Sequence, residues 1–274
     1  MTPEAGAAGD GAPRVAWISI APVKGLGLVH PARVTLERRG VRENRRFYLV
    51  DDRGRLVNGK RLGALVGVVP TYDEAAGTLR LALPGVGAVE GEVALGEAVT
   101  TAFVGRPVTG RLVAGPWSEA LSAWAGQGLR LVQADRIGAA VDRGPRAGAS
   151  LLSTASLDRL AAEVGGEPVD GRRFRMLFGV AGVGAHQEDT WVGRRVRLGE
   201  AVVVPRGSVG RCTVTTRHPE TGEKDLDTLG GLRAYRGEVE ASEALPFGVW
   251  GEVAEEGAVS LGAPVEVAPA GEGR

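Results

Sequence analysis

The sequence predicts a mainly β protein (α+β), built as two β units with a few short helices. Three observations support this: short β-branched runs broken by glycine, strict alternation in several of them, and few segments with helical periodicity. The runs Val15–Ile20, Phe47–Val50, Leu79–Leu83 and Val202–Pro205 are each bounded by turn-forming residues such as Asp52-Arg-Gly54 and Ala75-Ala-Gly77. In Arg195-Val-Arg-Leu198 the arginines fall on one face and the aliphatics on the other. Many short strands at close spacing predict a twisted sandwich or barrel.

Three segments read as helices. Ser118–Trp124 begins at a serine suited to an N-cap. Ser156–Val164 gathers Leu157, Leu160, Ala161 and Val164 on one face and stops at Gly165-Gly166. The third, Asp227–Tyr235, is weakened by two internal glycines. The composition shifts over residues 116–129, which predicts a connecting helix or linker between a unit at 13–115 and a second at 130–268. Residues 1–12 and 269–274 are rich in Gly, Ala, Pro and Glu and read as disordered tails.

A chain of 274 residues buries a sizeable core. Its 33 basic and 33 acidic residues cancel, so charge gives no reason to expect nucleic acid or an anionic membrane as a partner. No apolar run reaches membrane-spanning length, and the first ten residues lack a signal peptide's basic and apolar regions, so the expected location is cytoplasmic. Only Lys24, Lys60 and Lys224 are lysines, which draws attention to each.

The chain has one cysteine, Cys212, which follows Arg211 and precedes a Thr-rich run. A single cysteine rules out a disulfide, a cysteine-held iron–sulfur cluster and a Cys-rich zinc site within the chain. A thiolate beside a guanidinium is suited to a soft metal or to carrying sulfur, while the alternative is a small buried hydrophobe. Lys24-Gly25 ends the first strand, where backbone approaches an anion closely. Arg45-Arg46 opens the next strand and is expected to send one guanidinium to each face. The same logic puts Arg173 and Arg175 on one face and Phe174 on the other, and bidentate guanidinium groups suit phosphate. Glu188-Asp189 ahead of Trp191 reads as a turn and packing signal. His30, His186 and His218 are too scattered to form a metal triad, and Gly182-Val-Gly184 reads as a turn.

The order of these motifs resembles a known family. Pro22-Val-Lys24, Asn44-Arg-Arg-Phe47 and Asp51-Asp-Arg-Gly54 resemble the β-barrel domain that precedes MOSC domains. The MOSC domain itself, named for the C-terminal region of molybdenum-cofactor sulfurases, is resembled by six later motifs. These are Leu152–Leu157, Arg172-Arg-Phe-Arg175, Glu188-Asp-Thr-Trp191, Gly210-Arg-Cys212, Pro219-Glu-Thr-Gly222 and Pro246-Phe-Gly248. Within the family the pattern is similar to the mitochondrial amidoxime-reducing component.

That resemblance implies a molybdenum cofactor (molybdopterin with Mo) whose metal is held by Cys212, also the catalytic ligand. Lys24, Gly25 and Arg45 from the first unit and Arg175, Gly210, Arg211 and Trp250 from the second would line its site. It further implies reduction of N-hydroxylated small molecules with electrons from a separate ferredoxin-, flavodoxin- or cytochrome-type donor. The alternative is a sulfur carrier or cofactor-handling protein using Cys212 as a persulfide or transfer site. Lys24 superficially suggests a pyridoxal-phosphate Schiff base, but no aminotransferase-like domain accompanies it. Five positions depart from the family pattern: Asn44 for Asp, Phe47 for Trp, Met176-Leu177 for Pro-Asn, and Trp250 for Tyr. Loss of the Asp is expected to remove an ion pair that orients Arg45.

Overall fold

The computed structural model describes residues 11–103, 105–137, 144 and 146–269, so nearly all of both expected tails lies outside the described residues. In chain order the strands begin with β1 (Arg14–Ile18), β2 (Arg33–Leu36), β3 (Phe47–Val50), β4 (Leu56–Val57) and β5 (Val69–Asp73). Next come β6 (Thr78–Leu83), β7 (Gly87–Glu92), β8 (Ala94–Phe103), β9 (Arg106–Ala114) and β10 (Arg130–Ala134). The remainder are β11 (Ala149–Ser153), β12 (Phe178–Ala181), β13 (Val196–Leu198), β14 (Ala201–Gly210), β15 (Pro246–Glu255), β16 (Gly257–Ser260) and β17 (Val265–Val267). The helices are α1 (Trp117–Ala125), α2 (Thr154–Glu163) and α3 (Thr228–Arg236). The mainly β expectation holds.

One unit is a five-stranded sheet, β4-β3-β10-β9-β8, with the three-stranded β5-β6-β7 beside it. Their shared core holds Phe47, Leu49, Leu79, Leu81, Trp117 and Leu131, all fully buried. Each such side chain contributes roughly 1.5–3 kcal/mol. The Trp117 indole N–H is satisfied by the Leu79 carbonyl at 3.0 Å.

The other unit is a seven-stranded sheet, β1-β12-β11-β15-β14-β13-β17. Its two end strands meet: Val15 N–H donates to Ala263 O and Val265 N–H to Pro13 O, both at 2.9 Å, which closes the sheet towards a barrel. The ribbon β2–β16 flanks it, and Leu36, Trp191, Val203, Val249 and Val259 fill its interior. A third cluster, with Leu160, Phe174, Phe247 and Leu232, lies under α2 and α3.

Strand pairing crosses the expected join in both directions. β10 pairs with β3 and β9, so residues from 130 complete the first unit rather than opening the second. Conversely β1 pairs with β12 and β2 with β16, so the first strands complete the second unit. The composition shift at 116–129 marks α1, which packs on β10, β6 and β7. Its N-cap is Pro116, not Ser118, whose hydroxyl instead accepts the Leu131 N–H. For α2 the cap is Ser153, accepting from Ser156 N–H, and for α3 it is Asp227, accepting from Gly230 N–H.

Candidate functional site

After β1 the chain runs parallel to the approach to β3. Arg45 N–H donates to Ala21 O at 2.7 Å, Phe47 N–H to Pro22 O at 2.9 Å, and Lys24 N–H to Phe47 O at 2.8 Å. This short ladder makes Lys24-Gly25 and Arg45 neighbours although 20 residues separate them. The alternation expected of Arg45 and Arg46 is corrected, because the strand has not begun there. Arg45 sits in a turn with φ 55°, and β3 starts at Phe47. Asn44 Oδ1 accepts the Ala21 N–H at 2.9 Å and pins the ladder. The Lys24 ammonium lies over the Phe103 ring, 4.6 Å from its centre, a contact that brings the tip of the β8–β9 hairpin to this place.

In the second unit Gly171–Phe174 form a 3-10 turn, and Arg175 follows with φ 53°. The turn replaces the expected strand alternation. Arg173 is turned inward, 9 % exposed, onto the Asp225 carboxylate at 2.7 and 2.6 Å. Arg175 reaches across the seam, its Nη2 donating to Leu26 O at 2.8 Å, one residue beyond Gly25. Left-handed backbone costs a non-glycine residue about 1–2 kcal/mol, and strain of this kind concentrates at functional sites. Among the described residues four non-glycines carry it, and two are the candidates Arg45 and Arg175.

Cys212 is half-buried at the start of a second 3-10 turn, Thr213–Thr216, and its carbonyl accepts from the Thr215 amide and hydroxyl, both at 3.0 Å. No side-chain cap bond involves its thiol. The turn faces the first unit: a methyl built on Gly59 would lie 3.9 Å from Val214 Cγ1, and one built on Gly25 would lie 3.1 Å from the neighbouring Asn58 Cα. The segments bearing Lys24-Gly25, Arg45, Arg175 and Cys212 thus converge on one seam.

The other candidates do structural work beside it. The Arg211 guanidinium donates to the carbonyls of Phe247 and Phe174 and to the Met176 sulfur, tying β15 to the 3-10 turn before Arg175. Gly210 N–H donates to Glu243 at 2.9 Å, and a Cβ there would lie 2.7 Å from that side chain. Met176 and Leu177 are buried, so the residues replacing Pro-Asn serve the core. Trp250 packs with the third cluster, its indole nitrogen beside Gly207.

The loop after Cys212 clasps the first unit. His218 N–H donates to Glu223 O and Gly222 N–H to His218 O, which folds Pro219-Glu-Thr-Gly222 into a tight turn. That turn presses on residues 63–67: Cβ atoms on Gly63 or Gly222 would fall on each other's carbonyls, and one on Gly67 would lie 2.8 Å from Glu220 O. Beside the clasp a cleft of about 310 Å³ opens between the units. Of the eight candidates only Arg175 lines it, together with residues the sequence reading had not joined, among them His30, Arg172, Arg217 and His218.

Glu188 and Asp189 are structural, as their turn-and-packing reading requires. Fully buried, Glu188 accepts from Ser153 N–H at 3.2 Å and Ser156 Oγ at 2.9 Å, and burial pushes its carboxyl up. Asp189 pairs with the buried Arg236 at 2.5 Å. Burial, with Arg236 and Arg159 nearby, pushes His186 down to about 4. Among the described residues no three His, Cys, Asp or Glu side chains are grouped to hold a metal, and no helix is long and apolar enough to cross a membrane.

Comparison with known families assigns both units. The MOSC N-terminal β-barrel domain matches residues 12–129, and the MOSC domain matches residues 139–266. The chain belongs to the MOSC-domain proteins. A 71-residue stretch of this MOSC protein, 25% of the chain, is 34% identical to a molybdenum cofactor sulfurase of Oryza sativa subsp. japonica and spans 8% of that protein. Among solved structures, the YUAD protein of Bacillus subtilis aligns over 94% of this chain and 96% of its own, at 12% identity and a TM-score of 0.45. YiiM from Geobacillus stearothermophilus aligns over 46% and 56%, at 16% identity and a TM-score of 0.34.

Proposed function

We propose that this MOSC protein binds the molybdenum cofactor at the seam between its units and reduces N-hydroxylated small molecules. What supports the reading is that the turn following Cys212 comes by Val214 against Gly59, next to the Asn58 that meets Gly25, while Lys24 and Arg45 share one ladder and Arg175 bonds to Leu26 O. The donor set fits: an anionic pterin phosphate takes cations and close-approaching glycine backbone, and a soft metal takes one thiolate. Gly25, at φ 91°, carries no side chain to stand between its backbone and a ligand.

Cys212 would ligate the metal, and Lys24, Gly25, Arg45 and Arg175 would hold the anionic part. Gly210 and Arg211 would fix the cysteine's approach, and Trp250 would wall the site from β15. When bound, the cofactor supplies a two-electron centre. The net change, R–NHOH plus two electrons and two protons giving R–NH2 and water, draws its electrons from a separate ferredoxin-, flavodoxin- or cytochrome-type donor. The chain's residues contribute by holding the anion and limiting water in the seam.

The test is molybdenum and pterin analysis of protein from a cofactor-competent host, comparing wild type with Cys212→Ala. Molybdenum at full occupancy in the variant would sink the ligand assignment. Loaded protein should then reduce an amidoxime with a chemical electron donor. A second reading, a sulfur carrier using Cys212 as a persulfide, is favoured by the sulfurase match. Loaded protein inert to a broad panel of N–O compounds, with persulfide labelling on Cys212, would favour it.

A further inference from the structure

Lys60 is one of only three lysines, and the reductase reading gives it no part. It belongs to a basic patch at the β3–β4 end of the first unit. We infer that this patch is the docking surface for the electron donor, and that the donor presents an acidic protein face. The inference rests on the reductase reading and names the place where its partner binds.

The patch is built on the β3–β4 turn. One Asp51 carboxylate oxygen accepts the Arg53 and Arg55 amides at 3.0 and 2.9 Å, and the other accepts Arg55 Nε at 2.8 Å and Arg61 Nη1 at 3.2 Å. A single acid thus gathers two guanidinium groups. Behind the turn, Arg130 Nη2 donates to the Asp51 carbonyl at 3.4 Å. Arg53 and Lys60 are exposed and make no ion pair among the described residues. No acid outside the turn pairs with any of these cations among the described residues. Arg53, Arg55, Lys60, Arg61 and Arg130 against Asp51 and Asp52 leave three positive charges, in a chain whose charges otherwise cancel.

Its position adjoins the seam. Asn58 lies against Gly25, and Gly59, the neighbour of Lys60, lies against Val214 of the turn that follows Cys212. A partner seated on Lys60 and the β3–β4 turn meets the edge of the seam, where the reductase reading needs electrons.

The chemistry of the patch selects a protein. Guanidinium forks match the carboxylates of Asp and Glu. None of the large exposed apolar side chains falls within residues 51–61 or 126–134, so the patch lacks the apolar face that seats a protein on a membrane surface. A nucleic acid lays its phosphates along a longer basic track than one turn offers. A one-electron donor must also dock twice for each N–O bond reduced. Its contact is therefore weak, fast and steered by charge, and a small patch suffices for such redox encounters.

The experiment is calorimetric titration of the full chain with an acidic [2Fe–2S] ferredoxin as the probe. Saturable binding is expected at about 20 mM salt, falling at least tenfold at about 300 mM as the charges are screened. Arg53→Glu with Lys60→Glu should weaken it at least tenfold and leave the thermal melt unchanged, since neither side chain has an ion-pair partner to lose. Arg39→Glu with Arg233→Glu, the same charge change at exposed positions of the second unit, should bind like wild type. Molybdenum-loaded protein carrying the first pair should lose ferredoxin-driven reduction of an amidoxime and keep dithionite-driven reduction. Absent or salt-independent ferredoxin binding, or equal weakening by the two double variants, would overturn the surface. Tighter binding to phosphatidylserine vesicles or to duplex DNA than to ferredoxin would overturn the choice of partner. Patch-dependent binding with no turnover from either donor would sink the reductase reading and leave the surface standing, so the two failures are distinguishable.

Discussion

Replacing Gly222 by alanine tests whether the turn after Cys212 clasps the two units. Gly222 has φ 75°, and its new methyl would fall on the Gly63 carbonyl and lie 2.7 Å from the Ala64 amide nitrogen. The left-handed backbone alone costs about 1–2 kcal/mol for alanine. Crowding against backbone, which cannot rotate away as a side chain can, adds about 1–3 kcal/mol. The sum, about 2–5 kcal/mol, is a large share of the 5–15 kcal/mol typical of a folded protein. Gly77→Ala is the matched control, since Gly77 has φ 65° and nothing within 4 Å of the added methyl. Urea unfolding followed by tryptophan fluorescence reads both units, because Trp117 and Trp124 lie in the first and Trp17, Trp191 and Trp250 in the second. Gly222→Ala should lose at least about 1 kcal/mol more than Gly77→Ala. Its single thiol should also react faster with a thiol reagent, because the Cys212 turn is released from its anchor. Equal destabilisation of the two variants, with unchanged thiol reactivity, would refute the clasp.

Three further outcomes follow from the geometry. His186 is held neutral in the folded state at about 4, below its ordinary 6.5, so the unfolded chain takes up a proton first as pH falls. Its contribution is therefore complete above pH 6.5 and lost towards pH 4, by about 3 kcal/mol, and His186→Phe should flatten that part of the stability curve measured by denaturation. Arg173→Ala strips the partner from Asp225 and the Arg217 carbonyl and should cost about 2–4 kcal/mol in urea unfolding; a loss below about 0.5 kcal/mol would show the pair to be idle. Phe103→Ala removes the ring under the Lys24 ammonium and should lower stability by about 0.5–1 kcal/mol, with Phe103→Tyr restoring it, both read from thermal melts.

Much of this arrangement was legible in the residues, and the illegible parts share a cause. Local patterns held where local physics decides: Val196 and Leu198 face in while Arg197 faces out, and Gly165-Gly166 ends α2. The arginine pairs misled because period-two reasoning presumes a strand, whereas Arg45 and Arg175 sit in left-handed turns with distant contacts, the Arg45 amide to Ala21 O and the Arg175 guanidinium to Leu26 O. The pairing of strands across residue 130 was illegible for the same reason, since no feature of Arg130–Ala134 itself announces a partner at Phe47–Val50. Ser118 looked like a cap because serine at a helix start usually is one, yet the Leu131 amide, 13 residues on, donates to its hydroxyl. The cleft was invisible in sequence because its walls come from segments near residues 28, 67, 172 and 217, which only the closed fold brings together.

The exchange of strands between the units bears on how the chain is made. β1 is synthesised early, but its partner β12 emerges some 160 residues later, and β2 waits longer still for β16. Until then two apolar strands must remain unpaired beside a first unit that has already gained β10. A fragment starting at residue 130 would therefore expose the open edge of β12, an invitation to aggregate, and would also remove strands from the barrel it was meant to isolate. Supplying residues 11–36 as a separate peptide to such a fragment should restore its solubility, which makes the first strands a built-in chaperone for the last ones.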